Sequence, residues 1–189
     1  MATTTIGQIQ IPPTGTYALD PARSTVAFTT RHMFGTGTVK GTFAVASGDV
    51  VIAEPTTASS LYAEVHAGSF NSGSKMRDRD VHSKKFLHVE EYPIISFRTN
   101  EVRREADGTW TLLGTLTARG VGAPVELTVT SATTSGGTLS ITASGTVDRY
   151  AHGITGYKGM AARLLSIEIS ASATRVTQPS NQTPTSARL

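Results

Sequence analysis

Residues 94–117 read IISFRTNEVRREADGTWTLLGTLT, and this stretch decides the fold class. Ile95, Phe97 and Thr99 alternate with Ser96 and Arg98. Asp107-Gly108 follows, two positions that tolerate positive φ and together give the strongest hairpin signal in the chain. Beyond the turn, Trp110, Leu112, Gly114 and Leu116 fall on one face and Thr109, Thr111, Thr115 and Thr117 on the other. A period of two with one apolar face describes strands that are dry on one side and wet on the other.

Working outward, the same period recurs. Upstream, Tyr17 and Leu19 begin a strand that Asp20-Pro21-Ala22-Arg23 interrupts as a turn. Val26, Phe28, Thr30 and His32 then share a face, Gly35-Thr36-Gly37 turns the chain, and Val39, Gly41, Phe43 and Val45 share the next face. Ser47-Gly48-Asp49 predicts another turn before Val50 and Ile52, and Leu61, Ala63 and Val65 make a further strand. Downstream come Val125, Leu127 and Val129, a turn at Gly136-Gly137, then Leu139, Ile141 and Ala143, and lastly Leu165, Ile167, Ile169 and Ala171. The sum is eight to ten antiparallel strands joined by short turns. Such a sheet closes into a barrel or splits into a sandwich. The uneven strand spacing and a helical insert favour the barrel, and about eight strands leave room for one apolar ligand.

The insert is Ser72–Pro93, SGSKMRDRDVHSKKFLHVEEYP, the one segment that reads as helix. Ser72 and Ser74 can cap its start. Asp78 and Asp80 fall early and Lys84 and Lys85 late, which suits the helix dipole. Pro93 removes Tyr92 from helical geometry and so closes the segment. It comes after the first half of the strands, across or beside whatever they enclose.

With 189 residues the chain suffices for one domain with a core. Charged residues are only 16% and the net charge is +3, with no basic cluster interleaved with aromatics, so no nucleic-acid partner is expected. There is no cysteine, which excludes disulfides, thiolate metal sites and cysteine nucleophiles. No apolar run approaches the roughly 18 residues of a membrane helix, so no integral membrane segment is expected. The first residues lack a basic start followed by an apolar core, and a cytoplasmic location is the expectation. Residues 1–14 read as a flexible arm, 15–176 as the barrel domain and 177–189 as a disordered tail.

Five stretches, in order, carry a resemblance to a known family. They are YALDPARSTVAFTTRH from Tyr17, VKGTFAVASGDV from Val39, RDRDVHSKKFLHVEEYPIISF from Arg77, GTLTARGVGAPVEL from Gly114 and VDRYAHGI from Val147. Over about residues 15–175 the chain resembles the YceI-like family, bacterial polyisoprenoid-binding proteins with an extended lipocalin-like barrel. Asp80 stands where that family usually has His, and Gly122 where it usually has Thr. The resemblance implies a lumen holding a long isoprenoid lipid of polyprenol or quinone type, with no other cofactor. It also admits a homodimer, for which the residues fix no interface.

Phe28, Phe43, Phe97 and Trp110 lie on inward faces, where pattern allows either a filled core or a lined lumen; the resemblance implies the lumen. Leu112, Leu116 and Ile167 join the expected lining. Phe70, Met76 and Phe86 flank the helical segment and either close the mouth or pack the helix down. His32, inward by alternation, is either a hydrogen-bonded structural residue or the contact for a ligand headgroup. Gly114 and Gly41 each replace a side chain on an inward face, for backbone curvature or for room; room is expected at Gly114. No HExxH or two-His-plus-carboxylate spacing points to a metal, and no GxSxG elbow points to a nucleophile. The reading is a non-enzymatic carrier or store for a long-chain isoprenoid. Its rivals are an enzyme acting on an apolar substrate in the same lumen, with His32 as acid or base, and a structural barrel with a filled core.

Overall fold

The computed structural model describes residues 9–32 and 37–177, with His32 described in its backbone alone. Nine strands run in chain order: β1 Gly15–Leu19, β2 Thr25–His32, β3 Gly37–Ile52, β4 Ser60–His66, β5 Ile94–Arg104, β6 Trp110–Ala118, β7 Val121–Ser135, β8 Thr138–Asp148 and β9 Leu164–Arg175. Each of β2 to β9 pairs antiparallel with the next, and β9 pairs back onto β2, so the sheet closes. β1 also lies between β3 and β9, with Tyr17 opposite Val50 and Arg175. β1 and β2 therefore share one position, split by the 3-10 turn at Pro21–Arg23 that Asp20 caps through the Ala22 N–H. The result is the expected closed eight-strand antiparallel barrel with a lipocalin-like form.

The hairpin at Asp107-Gly108 forms as read. Gly108 takes φ +86°, and the backbone N–H and hydroxyl of Thr109 both donate to Asp107 Oδ1, at 2.9 and 2.7 Å. Pairing sets Phe97 opposite Leu116 and Thr99 opposite Gly114, with a bulge at Asn100. A second tight turn, at Arg119 and Gly120 with φ of 52° and 71°, joins β6 to β7. The expected turn at Ser47-Gly48-Asp49 does not form, because β3 continues through it with a bulge at Ala46. Both flanks of this half-strand are occupied, Val50 pairing with Tyr17 on one side and Leu61 on the other, so there is nowhere for the chain to turn. Gly48 serves close approach instead: a Cβ there would lie 2.6 Å from Leu19 Cδ1. The turn expected at Gly35-Thr36 falls outside the described residues.

The insert folds as α1, Lys75–His82, with Ser74 at its N-cap accepting from the Arg77 N–H. Asp78 Oδ1 accepts from the Ser72 N–H at 2.9 Å and the Ser72 hydroxyl at 2.6 Å, and Arg77 also donates to Ser72 Oγ. That clasp ties the helix to its leading loop. The loop in turn is fixed to β3 by a two-bond bridge between Asn71 and Thr42. Turns continue from Ser83 to Tyr92, with the Leu87 N–H donating to Val81 O.

Inside, apolar packing falls in layers. At the end away from α1, Tyr17, Val50, Ile52, Leu139 and Ala173 form a tight cluster. Residues 9–13, expected as part of a free arm, close this end: the Gln10 N–H donates to Ala132 O and the Tyr17 hydroxyl to Pro13 O, each at 2.8 Å. Residues 1–8 and 178–189 fall outside the described residues. In mid-barrel Phe97, Val125, Leu127 and Val147 pack with Leu61, Leu112, Leu116 and Ile167. Beyond this layer, toward α1, the packing stops short of filling the space.

Candidate functional site

Between the mid-barrel layer and α1 lies a cavity of about 610 Å³. Its floor is Leu116, Val147, Leu165 and Ile167 from three strands. One wall is an aromatic triad: Phe28 and Phe70 stack with centroids 5.0 Å apart, and Phe43 meets Phe70 edge-on at 5.3 Å. β2 and β3 supply Phe28 and Phe43 by alternation, whereas Phe70 is placed by the 3-10 turn before α1. Met76, Val81, Phe86 and Leu87 form the roof.

The opposite wall comes from the irregular segment between β8 and β9. Ile154, Tyr157, Met160 and Ala161 line the cavity there. The segment is held by Arg149, whose buried guanidinium donates to three backbone carbonyls: Ile154 O at 2.7 Å, Ala162 O at 2.8 Å and Ala161 O at 2.9 Å. Burial lowers the Arg149 pKa from its ordinary value, though a guanidinium remains charged. Its carbon lies 5.5 Å from the Phe86 ring centroid and 4.8 Å from that of Tyr150. The adjacent Asp148 caps the Tyr150 N–H and grips Arg163 with both oxygens. Arg163 holds the Asp148 carboxyl below the usual range, and Asp148 raises the Arg163 pKa in return. At Gly156 a Cβ would lie 2.7 Å from Lys85 O, so the two halves of the rim meet where no side chain fits.

Polar groups are few at the wall. His152 is 1% exposed and lines the cavity. Its Nδ1 lies 2.9 Å from Val121 O; a carbonyl only accepts, so Nδ1 carries the proton. Thr30, Arg31, Ser74, Arg77 and Asp80 stand toward the mouth. Among the described residues no three His, Asp or Glu side chains gather as a metal site. The arrangement offers a mainly hydrocarbon surface with an open rim.

Seven of the residues expected to line the lumen do line this cavity: Phe28, Phe43, Phe70, Met76, Phe86, Leu116 and Ile167. Four do not. Trp110 and Leu112 line a separate space of about 90 Å³ under the N-terminal arm. Phe97 and Gly114 line neither, since Phe97 belongs to the layer between the two spaces. Gly114 also does not leave the expected room, because the Phe97 ring fills it, and Gly41 is likewise covered by the Phe28 ring, whose Cε1 would lie 2.6 Å from a Cβ there. The His32 side chain falls outside what is described. Arg149, His152, Tyr157 and Met160 also line the cavity, although strand alternation gives no sign of them. Their signal is the loss of alternation between Asp148 and Leu164, with Gly153, Gly156 and Gly159 spaced by three.

A family model described as a YceI-like domain matches residues 17–173. Among curated proteins the chain is 36% identical over 63 residues to a UPF0312 protein of Yersinia enterocolitica, covering 33% of this chain and 32% of that protein. The chain thus matches about a third of the length of its curated relatives. Among solved structures, BcnA of Burkholderia cenocepacia superposes with a TM-score of 0.72 at 20% identity, over 82% of this chain and 99% of that one. A structure described as a polyisoprenoid binding domain from Saccharophagus degradans, implicated in plant cell wall breakdown, gives 0.64 at 12% identity over 85% and 98%. At those identities the likeness speaks for the fold.

Proposed function

This chain belongs to the YceI-like domain family, and from that premise we propose that its cavity holds the chain of an isoprenoid lipid, for carriage or storage rather than chemistry. The observation that carries the reading is the open, apolar space of about 610 Å³ walled by Phe28, Phe43 and Phe70 and roofed by Met76, Val81 and Phe86. A volume of that size is typical of small-molecule sites. Each CH₂ transferred into it from water contributes about 0.8 kcal/mol, so a prenyl chain binds well without many polar contacts. The relative described as a polyisoprenoid binding domain supports the same ligand class. The lipid is of polyprenol or isoprenoid-quinone type, and the scarcity of paired reactive groups at the wall favours a carrier over an enzyme.

The test is uptake of an added isoprenoid quinone by the purified protein and by Leu116→Trp. Leu116 forms part of the cavity floor, so the larger ring takes up the ligand's space. Wild-type uptake that the substitution abolishes, with the β-sheet circular dichroism unchanged, supports the reading. Equal uptake by both proteins, or by neither, contradicts it.

A further inference from the structure

The rim of the cavity joins exposed apolar side chains to a concentration of positive charge. Eight large apolar residues are exposed among the described residues, and three of them, Met76, Tyr157 and Met160, stand at this one opening. Met76 is 75% exposed and Met160 60%. They come from the two rim segments, residues 74–86 and 149–163, which meet where Phe86 and Tyr157 pack at 5.6 Å.

Those same segments carry eight Lys and Arg against two Asp, whereas the remaining chain has nine Lys and Arg against twelve Asp and Glu. Of the two Asp residues, Asp78 is clasped by Ser72 beside Arg77, and Asp80 stands at the mouth among the more numerous cations. Arg149 is buried and Arg163 is paired with Asp148. Lys75, Arg79, Lys84, Lys85 and Lys158 remain as exposed cations around the mouth. Charge is therefore segregated within a chain whose net is only +3.

We infer that this rim is a docking surface for an anionic lipid bilayer, seated with Met76, Tyr157 and Met160 in the headgroup region and the lysines against lipid phosphates. Apolar side chains flanked by cations give interfacial binding whose strength sums buried area and attraction to anionic lipid. The orientation presses the mouth of the cavity onto the membrane, so an apolar chain passes between bilayer and barrel without crossing water. The inference rests on the isoprenoid-carrier reading for its purpose, but not for its observable.

The experiment is co-sedimentation with vesicles of phosphatidylcholine alone and of phosphatidylcholine mixed with phosphatidylglycerol, run alongside isoprenoid-quinone uptake in detergent. Wild-type protein is expected to pellet with the phosphatidylglycerol vesicles and to be released by salt. A lysine near such a surface contributes about fivefold in partition, so Lys84→Ala with Lys85→Ala together lower binding by about 25-fold. Neither residue lines the cavity, and quinone uptake by that variant stays at the wild-type level. Arg104→Ala, at the other end of β5, leaves vesicle binding unchanged. No wild-type binding to phosphatidylglycerol vesicles, equal binding to both vesicle types, or full binding by the double variant overturns the inference. Vesicle binding without quinone uptake would instead overturn the proposed cargo and leave the docking surface standing.

Discussion

The ring of Phe97 lies where Gly114 would carry its side chain: a Cβ on Gly114 would meet Phe97 Cζ at 2.5 Å. The aromatic ring covers the glycine across the β5–β6 pair, as aromatics do when they shield strand glycines. Phe97 belongs to the layer beneath the cavity floor, between Leu116 and Val147 of that floor and Leu61 and Leu112 of the smaller space beneath Trp110.

Gly114→Leu therefore overpacks the mid-barrel layer. The expected cost is about 1–3 kcal/mol in urea unfolding, with Phe97→Ala in the same background recovering part of it. The Arg98 carbonyl oxygen lies as close, at 2.5 Å, so the recovery is only partial, and a Gly114→Leu protein as stable as the wild type would show that both the ring and the β5 backbone yield freely.

Phe97→Ala alone is expected to cost about 3–5 kcal/mol and to deepen the cavity toward Leu112 and Trp110. If the protein still folds, its preference among isoprenoid quinones shifts to longer chains. An unchanged preference would mean that the chain does not reach the floor.

Much of this architecture is legible in the sequence, and the misses have causes. Alternation placed Phe28, Phe43, Leu116 and Ile167 on inward faces, because a closed barrel has only an inside and an outside. Alternation does not say how deep along the axis each residue sits, so by pattern Trp110 and Leu112 share a space with Phe28. Depth depends on the stagger of neighbouring strands, which is set by pairing such as Thr99 with Gly114 and not by composition. Gly114 looks like room in the sequence because a sequence does not reveal which neighbour's ring lies over a glycine. The β8–β9 segment has neither period, and it becomes a wall through long-range bonds that a sequence does not display, foremost the three carbonyls gathered by Arg149.

Arg149→Lys is expected to loosen that wall. One ammonium cannot reproduce three donors fixed in a plane, and each carbonyl left unpaired in a buried setting costs roughly 1–3 kcal/mol. Amide hydrogen exchange should rise across residues 150–162 and stay unchanged in β5 and β6. Unchanged protection at 150–162 would show that Arg149 is not what holds the segment.

Asp148 gives the same segment a pH dependence. Its folded pKa is below the ordinary value because Arg163 bonds the charged form. A depressed carboxyl contributes stability that is present above the unfolded pKa and is lost as pH falls through the folded one. Asp148→Asn should thus lower the thermal midpoint at neutral pH, and the gap to wild type should close in acid below the usual carboxylate range. Glu64, Glu105 and Asp107 are also depressed, so both proteins keep an acid transition. A gap that is constant with pH would contradict the assignment.

The most direct measurement is mass spectrometry of organic extracts from the protein purified without added lipid. A compound bearing a repeating five-carbon chain is expected from the wild type and not from Leu116→Trp. Repeated extracts free of any prenyl compound, from protein that also fails to take up an added isoprenoid quinone, would contradict the account.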